Sequence, residues 1–162
     1  MDIGDVVEAA DTLDSLPREA LESELTAFAA HLSAAERRWL ALEAEFDRRE
    51  LHLEWGCHTC AAWLSWRCGL DPRSAREKVR VARALDGLPL VGAEFGKGRL
   101  SYSKVRALTR IATPENEQSL VDVALLFREA GHREADPSDQ LDNVRLGFGA
   151  ARILVVDQRY AF

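Results

Sequence analysis

The chain has 162 residues, 47% hydrophobic and 30% charged, which is enough apolar material for one folded domain and too much for a wholly disordered chain. No run approaches the ~20 apolar residues that cross a bilayer, and the acidic opening Met1-Asp2-Ile3-Gly4-Asp5 lacks the basic and apolar parts of a secretory signal. A cytoplasmic protein without a membrane anchor is therefore expected. The net charge of -6 conceals an uneven distribution: residues 1–65 carry -9, residues 66–110 carry +7 and residues 111–162 carry -4. A basic middle between acidic flanks suits an external polyanion, or pairing with its own flanks.

Ser15 or Leu16 before Pro17 marks a helix start, and Leu21, Leu25 and Phe28 fall on one side of a helix ending near Ala30. Ser33 and Glu36 make the S-x-x-E pattern of a capping box, which predicts a second helix with Ala35, Trp39, Leu42 and Phe46 as its apolar stripe. The two helices would form a hairpin. Thr59 as N-cap and Gly69 as stop bound a short third helix, with Trp63 and Trp66 expected in the core. Asp71 and Pro72 open a fourth helix that runs to Asp86, before Gly87 and Pro89. Phe95, Gly96 and Gly98 read as a glycine-rich connection to a fifth helix that starts at Ser101 and ends near Ala112. Thr113 is the expected cap of a sixth helix reaching about Ala130, with Leu120, Val121, Ala124 and Phe127 apolar.

Beyond Gly131 the helical periodicity fades, and Arg152-Ile153-Leu154-Val155-Val156 has strand character without a strand to pair with. The expected architecture is an all-α bundle of about six helices over residues 1–130 with a helix-turn-helix-like central segment, followed by an irregular tail over residues 131–162.

The basic middle carries the functional signal. Arg73, Arg76, Arg80 and Arg83 recur at three, four and three residues, which places them along one helix face beside an apolar face of Ala75, Val79, Ala82 and Leu85. Guanidinium forks match phosphate oxygens, and several such contacts make binding steeply salt-dependent. On the next helix Tyr102, Ser103, Arg106 and Arg110 lie away from Val105, Leu108, Ile111 and Ala112, as on a helix that approaches base edges in a groove. The alternative is a plain helix bundle whose arginines pair with acidic helices and whose partner, if any, is a protein or a second copy.

Cys57-His58-Thr59-Cys60, with His52 before and Cys68 after, contains zinc-ligand types but lacks a second ligand pair, so thiols buried beside Trp63 and Trp66 are expected instead of a metal. Three cysteines without export argue for reduced thiols. His31 reads as a core or rim residue of the first hairpin, and Glu43 with Asp47 as a carboxylate pair on a solvated face. No phosphate-binding glycine loop, H-E-x-x-H or G-x-S-x-G occurs, so neither catalysis nor a cofactor is expected.

Three segments, Trp63-Leu64-Ser65-Trp66-Arg67-Cys68-Gly69-Leu70, Ala75 through Leu85, and Gly98-Arg99-Leu100-Ser101-Tyr102-Ser103-Lys104-Val105-Arg106, resemble the domain of unknown function 222 of the actinobacterial 13E12-repeat proteins. The resemblance covers two-thirds of the chain or more. Members of that family commonly carry a metal-dependent HNH endonuclease module after this domain, so the resemblance implies a DNA-associated helical part. Such a nuclease needs a histidine cluster, whereas only His132 follows Cys60 here, so the module is not expected in this sequence. The departure from the family pattern after about Ala130 is what a truncated or frame-shifted copy would produce.

Overall fold

The computed structural model describes residues 13–130. Among them six α-helices succeed one another: α1 (Arg18–Arg48), α2 (Cys60–Cys68), α3 (Pro72–Leu85), α4 (Pro89–Gly96), α5 (Tyr102–Leu108) and α6 (Glu117–Ala130). A 3-10 segment, Leu51–Trp55, links α1 to α2. No strand occurs among the described residues. The all-α bundle is therefore as expected, while the tail over residues 131–162 and its candidate strand lie outside the described residues.

The expected hairpin at the start is instead one uninterrupted helix. Ser33 does not cap: its hydroxyl donates to the Ala29 carbonyl one turn back, at 2.9 Å, within a stretch rich in alanine. The α1 helix runs 31 residues, about 46 Å at the rise of an α-helix, and ends where Glu50 takes a left-handed backbone conformation (φ 54°). Leu40 and Glu43 are its buried residues. Of the expected stripe, Trp39 and Phe46 are half-buried whereas Ala35 and Leu42 are exposed, and Arg37 beside it is half-buried.

The segment read as a glycine-rich connection is also helical. Pro89 opens α4, and the buried carboxylate of Glu117, reaching across from α6, accepts the Val91 N–H at 2.9 Å. A side chain from another helix thus does the capping that no local residue provides. Thr113 in turn is not the cap of α6: its N–H donates to the Asn116 side chain at 2.7 Å in a turn, and the helix begins at Glu117.

The main core gathers Leu40 of α1, Val81 and Leu85 of α3, Val91 and Phe95 of α4, Val105 and Leu108 of α5, and Leu120 and Val121 of α6. A smaller cluster joins Cys60, Ala61 and Leu64 of α2 to Ala75 and Val79 of α3, flanked by Phe46 and Trp63, whose ring centroids lie 4.3 Å apart. Helix α3 therefore serves both clusters. Trp66, expected in the core, is 59% exposed, where it meets Trp55 and the Arg67 guanidinium.

Gly98 sets the approach of the α4–α5 turn to α1. Its φ is 69°, and a Cβ there would sit 2.5 Å from the Ala30 carbonyl oxygen. Gly98→Ala combines left-handed strain with a backbone clash, so thermal unfolding is expected to report a loss of roughly 2 kcal/mol or more. Glu43 supplies a pH-dependent test. It is 3% exposed with neither carboxylate oxygen hydrogen-bonded, and burial, opposed by Lys78 and reinforced by Glu36, raises its pKa to about 7. The folded state therefore holds this proton more tightly than the unfolded chain, and stability falls as pH rises from the ordinary 4.5 through about 7. Glu43→Gln is expected to flatten that decline and to stabilise the protein at high pH by roughly 2 kcal/mol, read as a melting-temperature profile against pH.

Candidate nucleic-acid interface

Helix α3 is fixed at both ends by its own sequence. The Asp71 carboxylate accepts the N–H groups of Arg73 (2.9 Å) and Ser74 (3.0 Å), and Pro72 occupies the first turn. These capping bonds, from Ser74 first, hold the Asp71 carboxyl below its ordinary range, and the charge of Arg76 adds to them. Because Ala75, Val79, Val81, Ala82 and Leu85 are buried, the helix is held on two sides, and Arg73, Arg76 and Arg83 are exposed while Arg80 is half-buried.

The four arginines have different fates on that face. Arg73 and Arg76 are exposed, and neither side chain makes a hydrogen bond or close ion pair among the described residues. Arg80 is anchored inward: it donates to Glu77 at 2.9 and 3.1 Å, to the Thr109 hydroxyl at 3.1 Å, and to the carbonyls of Thr109 and Arg106, each at 3.2 Å. Arg83 forks onto Asp47 of α1 at 2.6 and 3.0 Å, with its own side chain 67% exposed. Arg76, Arg80 and Arg83 nevertheless line one cleft of about 560 Å³ between α3 and the first turn of α2, where Thr59, Cys60 and Ala61 form the other wall. The Thr59 hydroxyl accepts the Ala62 N–H at 3.1 Å, as expected of that cap.

The second set is likewise divided. Ser101 caps α5 through the Lys104 N–H, and the helix ends at Leu108, earlier than its pattern predicts. Ser103 is exposed, Tyr102 and Arg106 are half-buried, and exposed Arg110 donates to Glu77 at 2.8 Å. Glu77 thereby receives two guanidinium groups. Burial works to raise its carboxyl, but the bonds from Arg80 and Arg110 outweigh it and hold the group below its ordinary range. Tyr102 lies under the Lys78 ammonium, 4.3 Å from the ring centroid, and burial raises its phenol. The structure thus brings Arg80 of the first set to the α5 end that carries Arg106 and Arg110, with Arg73 and Arg76 further along the same α3 face.

Lys78 matters here without any signal in its sequence pattern, and Glu43 and Asp47 lie elsewhere than their pattern suggests. Lys78 bonds Glu36 of α1 and sits over the rings of Trp39 (5.0 Å) and Tyr102, so it ties α3 to α1 and α5. Glu43 and Asp47 do not occupy a solvated face; Glu43 is buried, and the Asp47 side chain is only 10% exposed beneath Arg83. Their spacing of four carried the signal of a shared face but not which face. Among the cysteines Cys60 is buried, and desolvation first, then the Asp47 and Glu43 charges, push its thiol up to about 12. A thiol so held is neutral at pH 7 and behaves as a small apolar group. Cys57 is half-buried and Cys68 exposed, so the expectation of buried thiols holds for Cys60 alone. His31 is exposed, edge-on to Phe28 at 6.3 Å.

These features define an all-helical bundle that presents a partly neutralised arginine face, with no group of three or more potential metal ligands among the described residues. The chain belongs to the family described as Domain of unknown function (DUF222), which it matches over residues 19–140, more than half its length. No curated protein and no solved structure matches it. No helix among the described residues is long and apolar enough to cross a membrane.

The division among the arginines is directly measurable. Arg80→Ala removes bonds to Glu77, Thr109 and Arg106 at once and is expected to cost roughly 2 kcal/mol in denaturant unfolding. Arg76→Ala, on the open face, is expected to stay within about 0.5 kcal/mol of the parent protein.

Proposed function

We propose that this protein is a DNA-associated helical module that holds the phosphate backbone on the outer face of α3. Support comes chiefly from one observation: Arg73 and Arg76 are exposed on a well-capped helix and make no close side-chain ion pair among the described residues. Of the four arginines read as phosphate contacts, these two lead. Arg83 contributes through its exposed guanidinium edge, and Arg80 acts as a positioning residue that fixes α3 against the end of α5. Across the cleft, Thr59, Cys60 and Ala61 at the first turn of α2 form the facing wall, with the Ala62 N–H already taken by the Thr59 hydroxyl. Ser103 and Arg110 are the groove candidates with exposure suited to contact, whereas Tyr102 and Arg106 are half-buried. No catalytic step is assigned to this chain.

Pairing among the described residues favours a second reading, a protein-interaction or structural domain. Arg80 and Arg110 share Glu77, and Arg83 binds Asp47, so much of the basic middle is balanced within the molecule. The readings part in a salt titration. If α3 holds phosphates, duplex DNA binding weakens linearly with the logarithm of salt, and Arg73→Ala with Arg76→Ala lowers the slope by about 2, one counterion per lost contact. Equal slopes for parent and double variant, or no binding at low salt, would refute the DNA reading. The unchanged fold of the variant is checked by its melting temperature.

A further inference from the structure

We propose that α1 pairs antiparallel with the α1 helix of a second copy of this chain, through an apolar seam that the bundle leaves uncovered. Because Ser33 fails to break the helix, Leu21, Leu25, Phe28, Leu32, Ala35 and Trp39 follow one another at alternating spacings of four and three along a continuous helix. That is the average spacing of 3.5 residues at which apolar side chains form a two-helix seam. At 100° per residue the seam lies opposite Ala30, which touches Gly98, and about a quarter-turn from Leu40 of the core; its last residue, Trp39, is half-buried under Lys78 of α3, so the uncovered part runs from Leu21 to Ala35. Leu25 is 64% exposed, Leu32 69% and Phe28 47%, an uncovered apolar run that water-facing helices rarely carry without a partner.

Charge selects both the partner and its direction. Glu24 and Arg38 flank the same edge of the seam, two heptads apart, both exposed and neither in a close ion pair among the described residues. In a parallel pair Glu24 would face Ala29 of the other helix and Arg38 would face the position of buried Glu43, so neither gains an opposite charge. In the antiparallel pair that stacks Phe28 on Leu32 and Leu25 on Ala35 of the second copy, each Glu24 meets the other copy's Arg38. The two-fold axis makes this contact twice. The seam is self-complementary and its Glu24–Arg38 edge is complementary in charge, while on the other edge Glu22 and Glu36 meet, each already paired within its own copy to Arg18 and Lys78.

Sedimentation equilibrium of the full chain tests this, with melting temperature as the check of folding. The parent is expected to dimerise reversibly at micromolar concentration, and Leu25→Glu with Leu32→Glu to abolish the dimer. Arg38→Glu and Glu24→Arg are each expected to weaken it about tenfold, since each sets like charges together twice, and the double swap E24R/R38E to restore it. A parent that stays monomeric, including one in which another part of the chain covers the seam, overturns the proposal. So does a dimer indifferent to the seam variants, or one weakened by both single charge changes and not restored by the swap.

Discussion

One ammonium group holds the architecture in register. Lys78 of α3 is 12% exposed, bonded to Glu36 of α1 and placed over Trp39 of α1 and Tyr102 of α5. A buried cation is tolerated only when paired and further stabilised, and the two aromatic faces with one carboxylate provide both. The position of Lys78 settles the roll of α3 about its axis. With Lys78 turned inward, residues at 73 and 76 face outward, and Arg80 comes round to the carbonyls at the end of α5. The division of the arginine row into exposed and anchored members follows from that single roll angle.

The same cation leaves a tension beside it. Glu43 lies near Lys78, but Glu36 already takes the hydrogen bond, and the second carboxylate is buried without a donor. Its proton is therefore retained until about pH 7, where an ordinary carboxylate would have lost it well below. A buried acid that is neutral under mildly acidic conditions and charged above them makes the junction of α1 and α3 more stable in the protonated state. The cost is local, because the main core of α3, α4, α5 and α6 is apolar.

Local cap signals are legible in the sequence only where no wider context overrides them, and at Ser33 and Thr113 the structure does not follow them. Thr59, Asp71 and Ser101 cap where expected because a cap is a contact between residues two or three apart. Ser33 has the same pattern with Glu36 but lies inside a helix, where its hydroxyl bonds backward and Glu36 is taken by Lys78, 42 residues on. The α4 helix is not legible in the sequence for the opposite reason, since the carboxylate that accepts its Val91 N–H is Glu117, 26 residues away. The apolar spacing of α3 predicted its buried face, yet no spacing distinguishes an arginine that reaches solvent from one that reaches Thr109. Trp66 shows the same limit: its residue type argued for the core, and its position at the end of a short helix left it outside.

Net charge is the weakest guide to what this surface binds, and neutralisation geometry the better one. The excess of +7 over residues 66–110 falls to +5 once contacts with the preceding segment are assigned, Lys78 to Glu36 and Arg83 to Asp47, and within the segment Lys97 and Arg99 share Glu94. Exposed pairs among these are worth little in stability and break readily under competition, so Arg83 remains available to a phosphate that approaches its open side. Arg80 does not, because releasing it would break its bonds to two carbonyls, a hydroxyl and a carboxylate together. An external polyanion is therefore met by the outer turn of α3 first, while the inner turn fixes the direction in which that outer turn points.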